Sequence, residues 1–159
     1  MKTRVGFGFD VHPLQEGHDF WIGGIKVPAS KGAVGHSDAD VLIHAICDAL
    51  LGAANLGDIG IHFSNKDPQW AGKDSKYFLR EVTRMLAANG WRIENVDCTL
   101  TLEKPLIKSY IPEMKTVMAP LMQISEADLS IKATTNEKLG YVGREDGVNA
   151  YAVALISKP

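Results

Sequence analysis

Ser37-Asp38-Ala39-Asp40-Val41-Leu42-Ile43-His44-Ala45-Ile46-Cys47-Asp48-Ala49-Leu50-Leu51-Gly52 is the stretch that decides the architecture. Val41, Leu42, Ala45, Ile46, Ala49 and Leu50 recur at three- and four-residue spacing until Gly52, the period of a helix turned toward a core. Ser37, with Asp40 three residues on, resembles a capping box and places the helix start at Ser37, with Asp standing for the usual Glu or Gln. The flanking sequence alternates instead. Arg4 to His12 alternates with interspersed glycines, and Phe20 to Pro28 reads as two short β segments around Gly23-Gly24. Val96, Cys98, Leu100 and Leu102 mark a half-buried strand, Leu129 to Thr134 another, and Tyr151 to Ile156 a nearly continuously buried one.

Two more helices are expected. One begins near Asp74 or Ser75, buries Phe78, Leu79, Val82, Met85 and Leu86, and stops at Asn89-Gly90. The other runs from about Pro112 to Met122, with proline at the tolerated first position. Leu56 to Gly72 is rich in Gly, Asp, Asn and Lys and carries Pro68, which predicts a mobile loop of the kind that often holds function. Strands and helices without a strict βαβ repeat predict an α+β sandwich, one mixed β-sheet backed by helices, in a single domain over residues 1–159.

The bulk properties narrow the function. The 159 residues are 45% hydrophobic and 23% charged, enough for one packed core. Seventeen basic and nineteen acidic residues give a net charge of -2, so neither a nucleic-acid face nor an anionic membrane surface is expected as partner. No stretch approaches the roughly 20 apolar residues that span a bilayer, and Met1 to Gly8 runs straight into strand-like sequence, so no signal peptide or presequence is expected. Cys47 and Cys98 lack a CxxC partner and read as buried free thiols in a reducing, cytoplasmic setting.

Two clusters can carry chemistry. Asp10 and His12 stand two apart on a strand, on one face and within roughly 7 Å of each other; alone, such a pair is more readily a solvated Asp beside a hydrogen-bonded His. The segment His36 to His44 adds two histidines and two carboxylates at a helix start. His44 lies among apolar neighbours, where a buried imidazole needs Asp40, one turn back, or a metal. Asp10, His12 and His44 together offer two nitrogens and a carboxylate oxygen, a tetrahedral zinc set with a fourth position open. Asp40 and Asp48 either orient His44 or serve as a helix cap and a solvated side chain, respectively. Lys132 to Arg144 runs from a strand into a Thr-rich turn where hydroxyls, N–H groups and cations can hold phosphate; simple capping of Thr134 with Glu137 explains the spacing as well.

With both clusters in view, the chain resembles the 2-C-methyl-D-erythritol 2,4-cyclodiphosphate synthases from Gly8 through the last strand. The resemblance rests on an ordered set of motifs: Gly8-Phe9-Asp10-Val11-His12, Ile22-Gly23-Gly24, His36-Ser37-Asp38-Ala39-Asp40, His44-Ala45, Asp48 to Gly52, Leu56 to Gly60, Asp74-Ser75, Asn95-Val96-Asp97, and Lys132 to Thr135 through Gly143-Arg144. It implies zinc on Asp10, His12 and His44, and magnesium or manganese on Glu137 bridging the substrate diphosphate. It implies that His36 and Thr135 stabilise the reacting phosphates with Ser37, and that Asp58, Ile59 and Gly60, with Phe63 and Asp67 nearby, hold the erythritol portion. It further implies that Leu102, Lys104, Pro105 and Lys108, with Thr134, Thr135, Asn136 and Glu137, bind a cytidine diphosphate substrate. The family assembles as homotrimers with sites at subunit boundaries. Tyr141 and Arg144 would face the trimer axis, where some relatives bind an isoprenoid diphosphate.

The chain departs from the commoner family pattern at Ser64, where proline usually follows Phe63, at Leu106, where Lys is frequent, and at Asn136, where Thr is common. None of these removes an implied metal ligand. Two other readings fit the same ligands: a metal-dependent phosphodiesterase, in which the ion activates water, and a trimeric carrier of isoprenoid or nucleotide phosphates. His18 and His62 are expected to be exposed, and Trp21, Trp70 and Trp91 to serve packing or the surface.

Overall fold

The elements, in a computed structural model that describes residues 1–159, run β1 (Lys2–Glu16), β2 (Phe20–Ile22), β3 (Ile25–Val27), β4 (Lys31–Ala33), α1 (Val41–Ala54), α2 (Ile59–His62) and α3 (Ser75–Ala88). They continue as β5 (Arg92–Thr101), α4 (Ile111–Met122), β6 (Leu129–Thr134), α5 (Gly140–Gly143) and β7 (Gly147–Lys158). Five strands form one sheet in the order β4-β1-β7-β5-β6, and β2 pairs with β3 as a separate hairpin across the Gly23-Gly24 turn. All sheet neighbours are antiparallel except β5 and β6, so the sheet is mixed, as expected.

Alternation along β1 places Gly6, Gly8, Asp10 and His12 toward α1 and leaves Val5, Phe7, Phe9 and Val11 on the opposite face. The two glycines set the spacing between layers. A Cβ at Gly6 would lie 1.9 Å from the Ala49 carbonyl oxygen, and one at Gly8 1.9 Å from that of Ala45. With no side chain there, β1 lies directly against α1. The helix is buried almost throughout, within a core of 40 residues that also takes in the inner faces of β5, β7, α3 and α4.

Several expectations need correction. The first helix begins at Val41, not Ser37, because Ala39 takes a left-handed φ of 59° and Asp40 is the cap, accepting from Ile43 N. The capping box does not form; the Ser37 hydroxyl instead accepts from Ala39 N at 3.3 Å. The last strand is not continuously buried, since Tyr151 and Val153 emerge beside Phe7 and Phe9 on the helix-free face of the sheet. Met85 is only half-buried. Within Leu56 to Gly72 the chain forms α2 and a single 3-10 turn at Pro68–Trp70, and it is tied down by Ile59 N donating to Asp48 at 2.8 Å. His62 is half-buried, donating to the Leu56 carbonyl at 2.7 Å, whereas His18 is exposed as expected.

Candidate active site

Asp10 and His12 leave β1 on one face, and His44 leaves the first turn of α1 directly opposite. Their donor atoms form a small triangle. Asp10 Oδ2 lies 2.9 Å from His12 Nε2 and 3.1 Å from His44 Nδ1, and the two nitrogens are 3.2 Å apart. A tetrahedral zinc ion with bonds of roughly 2.0–2.1 Å sets its ligand atoms about 3.3–3.4 Å apart, so the triangle accepts one after slight opening. Side-chain exposures of 27% for Asp10, 16% for His12 and 11% for His44 leave the triangle mostly buried but open to solvent. The outer nitrogen of His12, Nδ1, lies 3.2 Å from the Val34 carbonyl, which can only accept, so Nε2 turns its lone pair into the triangle. Gly35 leaves room for that ring, since a Cβ there would sit 2.9 Å from His12 Cε1.

The charges in the triangle support one another. Burial works to raise the Asp10 carboxyl, but its contacts with His12 and His44, as hydrogen bonds and charges when a ring is protonated, bring it down to about 2. Burial works to lower the His44 imidazole, and the Asp10 hydrogen bond and charge overcome it, so that it rises above its ordinary value. When a ring is protonated, its proton holds the triangle together; a divalent cation can take that proton's place.

The triangle opens on a cavity of about 350 Å³. Its polar lining comes from His12, His36, Ser37, His44 and Asn65, and its apolar lining from Ile59, Phe63, Trp70 and Phe78. Phe63 packs on Phe78 with ring centroids 4.7 Å apart, and Trp70 stacks on Tyr77 at 5.8 Å. His36 donates from Nε2 to the Asp67 carbonyl at 3.0 Å, which orients its ring. Asp58 caps α2 by accepting from Ile61 N at 3.0 Å, and Gly60 lines the cavity two residues on.

The residues expected to bind a nucleotide lie elsewhere on the chain. Thr101 and Thr134 pair in register on parallel β5 and β6, so Leu102 to Lys108 and Thr134 to Glu137 leave adjacent strand ends together. None of them lines the cavity beside the triangle. Leu102 is buried at 3% exposure, which leaves only its backbone to face a ligand. Lys104 and Pro105 border a second hollow of about 330 Å³ with Lys31 and Glu145. Thr134 does not cap Glu137: its hydroxyl donates to the Thr135 carbonyl at 3.2 Å, and Glu137 has a left-handed φ of 52°. Glu103 shapes this turn, accepting from Asn136 N at 2.8 Å and Lys138 N at 3.2 Å. Tyr141 and Arg144 are exposed at α5 and its end, with Arg144 paired to Asp146 at 3.0 Å.

For Asp40, the helix cap and not the orienter of His44 is the role that forms: both carboxylate oxygens are used by backbone, Oδ1 accepting from Gly23 N and Ile43 N at 3.0 Å each and Oδ2 from Gly24 N at 2.7 Å. Asp48 turns to Ile59 and is neither an orienter nor merely solvated. The neighbours of His44 Nε2 are Ser75 Oγ at 2.8 Å and Ser37 Oγ at 3.2 Å. Ser75 stands 31 residues further along the chain, at the start of α3, and no spacing rule connects it with His44. Trp70, expected to be a packing or surface residue, forms part of the cavity wall.

Comparison with known proteins bears on this geometry directly. The profile of the YgbB family matches residues 3–157. A protein of Cytophaga hutchinsonii named 2-C-methyl-D-erythritol 2,4-cyclodiphosphate synthase is 62% identical over 159 residues, which is the whole of both chains. Among solved structures, the bifunctional IspDF from Campylobacter jejuni superposes with a TM-score of 0.95 at 31% identity, covering 99% of this chain but only 43% of that longer one. A 2C-methyl-D-erythritol-2,4-cyclodiphosphate synthase in its CDP-bound form superposes at 0.89 with 36% identity, covering 97% of this chain and all of that one. Full-length similarity of sequence, the shared fold and the Asp-His-His triangle lead to one conclusion: the chain is an enzyme of the YgbB family, to which the 2-C-methyl-D-erythritol 2,4-cyclodiphosphate synthases belong.

Proposed function

We propose that the chain, acting as a single domain over residues 1–159, cyclises 4-diphosphocytidyl-2-C-methyl-D-erythritol 2-phosphate to 2-C-methyl-D-erythritol 2,4-cyclodiphosphate with release of CMP. The observation that carries this reading is the Asp10-His12-His44 triangle opening on a cavity lined by both polar and apolar side chains. Such a cavity suits a phosphate together with a methylated carbon chain. The CDP-bound relative supports the cytidine portion.

In this reaction the 2-phosphate oxygen attacks the β-phosphorus, the bond to the CMP oxygen breaks, and an eight-membered ring closes, with no protein nucleophile needed. Attacker and leaving group are both anionic, so the protein must hold a flexible chain folded for in-line attack and offset its charge. Zinc on Asp10, His12 and His44, with magnesium or manganese on Glu137, supplies Lewis-acid stabilisation of the phosphate oxygens when bound. Ser37 meets the phosphate beside the triangle and Thr135 meets it from the other residue set, each a preorganised donor of about 2 to 4 kcal/mol, with the His36 ring, oriented by the Asp67 carbonyl, beside them. Ile59, Gly60 and Phe63, with Asp58 and Asp67 shaping their turns, receive the erythritol portion. Backbone groups from Leu102 to Lys108 and the turn Thr134 to Glu137 hold the cytidine diphosphate.

The two residue sets are separate within one chain, which supports an assembly where one subunit's triangle faces another's nucleotide turn. Val5, Phe7, Phe9, Val11, Tyr151 and Val153 form an exposed apolar sheet face, with Val5 at 67% and Phe7 at 63% exposure, and we assign it to the interior of a homotrimer. Tyr141 and Arg144 then flank the axis, where an isoprenoid diphosphate is the candidate ligand. No helix is long and apolar enough to cross a membrane, and the buried free thiols Cys47 and Cys98 suit a cytoplasmic setting.

The test is to incubate the protein with the substrate, zinc and magnesium and to follow phosphorus NMR, beside His44→Ala. CMP with a cyclic diphosphate, lost in the variant, is the expected result. CMP with an open-chain phosphate identifies a hydrolase, and binding without turnover identifies a carrier; either overturns the reading.

A further inference from the structure

We propose that Asp38, which touches none of the metal-binding atoms, sets both the tautomer of His44 and the donor polarity of Ser37 through one intermediary, the Ser75 hydroxyl. The inference rests on the reading that Asp10, His12 and His44 hold a divalent cation.

Asp38 lies in the turn before α1 and accepts from Ser75 N at 2.8 Å, from Asp40 N at 3.1 Å and from the Ser75 hydroxyl. A carboxylate has no proton to give, so the single hydroxyl proton of Ser75 goes to Asp38. Ser75 Oγ can then only accept from its other close partner, His44 Nε2 at 2.8 Å. Nε2 therefore carries the imidazole proton, and Nδ1 directs a bare lone pair at the point shared by Asp10 and His12. The opposite polarity would place an Nδ1–H in the triangle against Asp10 Oδ2, 3.1 Å away, a proton that an entering ion would have to displace.

A second consequence follows on the cavity wall. Ser37 Oγ lies 3.2 Å from the same His44 Nε2 and 3.3 Å from Ala39 N, and both now act as donors. Ser37 must accept from them, which leaves its own proton free in the cavity it lines, as a donor suited to a phosphate oxygen. The relay is held in place by two backbone bonds between its segments, Asp38 N to the Lys73 carbonyl at 3.1 Å and Gly72 N to the His36 carbonyl at 2.8 Å. Ser75 is wholly buried, so water cannot substitute for either partner. Asp38 and Ser75 are thus positioning residues that reach the reaction only through His44 and Ser37.

The test uses Asp38→Asn and Ser75→Ala, with Ser75→Thr as the variant that keeps the hydroxyl. In Asp38→Asn the amide can donate to Ser75, freeing the serine proton to turn toward His44 Nε2. Histidine nitrogen-proton correlation spectra of the metal-free protein, at a pH where the rings are neutral, report the tautomer; competition with a chromophoric chelator reports zinc affinity. The expected result is an Nε2–H signal for His44 in the parent and Ser75→Thr proteins, lost or moved to Nδ1 in the other two. Zinc affinity should fall roughly 10- to 100-fold in those two, the range seen when partners of metal ligands are removed. Should Asp38→Asn fail to fold, Ser75→Ala decides, since it leaves both N–H bonds to Asp38 intact. An unchanged tautomer and zinc affinity in Ser75→Ala would overturn the relay. A parent protein that shows the Nε2–H signal but binds no zinc would overturn the metal reading and leave the tautomer assignment standing.

Discussion

Replacing Gly8 by alanine tests whether the metal site depends on the direct contact of β1 with α1. The added Cβ would stand 1.9 Å from the Ala45 carbonyl oxygen and 2.7 Å from Ala49 N, where real Cβ contacts essentially never fall under 3.0 Å. Both are helix backbone atoms and cannot swing aside as a side chain can, so helix and strand must part by about 1.1 Å to bring 1.9 Å up to 3.0 Å. His44 precedes Ala45, and Asp10 and His12 follow Gly8 on the same strand face, so the parting acts directly on the triangle. Metal sites tolerate only about 0.2 Å of error in ligand distance. We expect zinc affinity to fall by at least about 10-fold, the lower end seen for disturbed metal-ligand partners. Overpacking costs about 1–3 kcal/mol, or roughly 2–12 °C in melting temperature for a chain of this size. Zinc titration and thermal unfolding of Gly8→Ala beside Gly52→Ala provide the check. Gly52 lies on the same helix with no atom within 4 Å of an added Cβ, and alanine there should stabilise by about 0.5–1 kcal/mol. A Gly8→Ala protein with parental zinc affinity and melting temperature would refute the reasoning.

Asp40→Ala removes the acceptor of three buried N–H groups, Gly23, Gly24 and Ile43; at about 1–3 kcal/mol for each unsatisfied group, urea unfolding should show a loss of at least about 3 kcal/mol, and a loss below about 1 kcal/mol would show that water or a rearranged turn takes its place. Metal-free protein should melt highest between about pH 4 and 6.5. Asp10, held at about 2 against an ordinary 3.8, loses its contribution as pH falls through that lowered value, and His44, raised above 6.5, loses its own as pH rises past its folded value. Zinc competes with protons for the imidazoles and should reverse the alkaline limb; a flat metal-free profile in scanning fluorimetry from pH 3 to 9 would contradict this. Phe7→Glu should convert a trimer to monomers in light scattering while leaving zinc binding intact, because Phe7 lies on the sheet face opposite Asp10; a parent protein that is already monomeric would remove the basis of the interface.

Local pattern was enough for much of the fold. The spacing of Val41 to Leu50 located α1, the Gly23-Gly24 turn located the β2-β3 hairpin, and alternation placed Asp10 and His12 on one face of β1, because strand and helix periods are short-range properties. Residue chemistry then marked Asp10, His12 and His44 as a ligand set before any contact was known. Tertiary structure alone decided what those residues touch. Ser75 reaches His44 because α3 packs its first turn beside that of α1, Asp40 is drawn away from His44 by the N–H groups of the hairpin turn, and Trp70 enters the cavity wall through its aromatic neighbours. The separation of the triangle from the Thr134 to Glu137 turn was equally hidden, since it depends on where the ends of β5 and β6 fall relative to α1. Periodicity along a chain reports which face a side chain takes, but its partner is set by the packing of segments tens of residues apart, where long-range contacts compete for the same donors and acceptors.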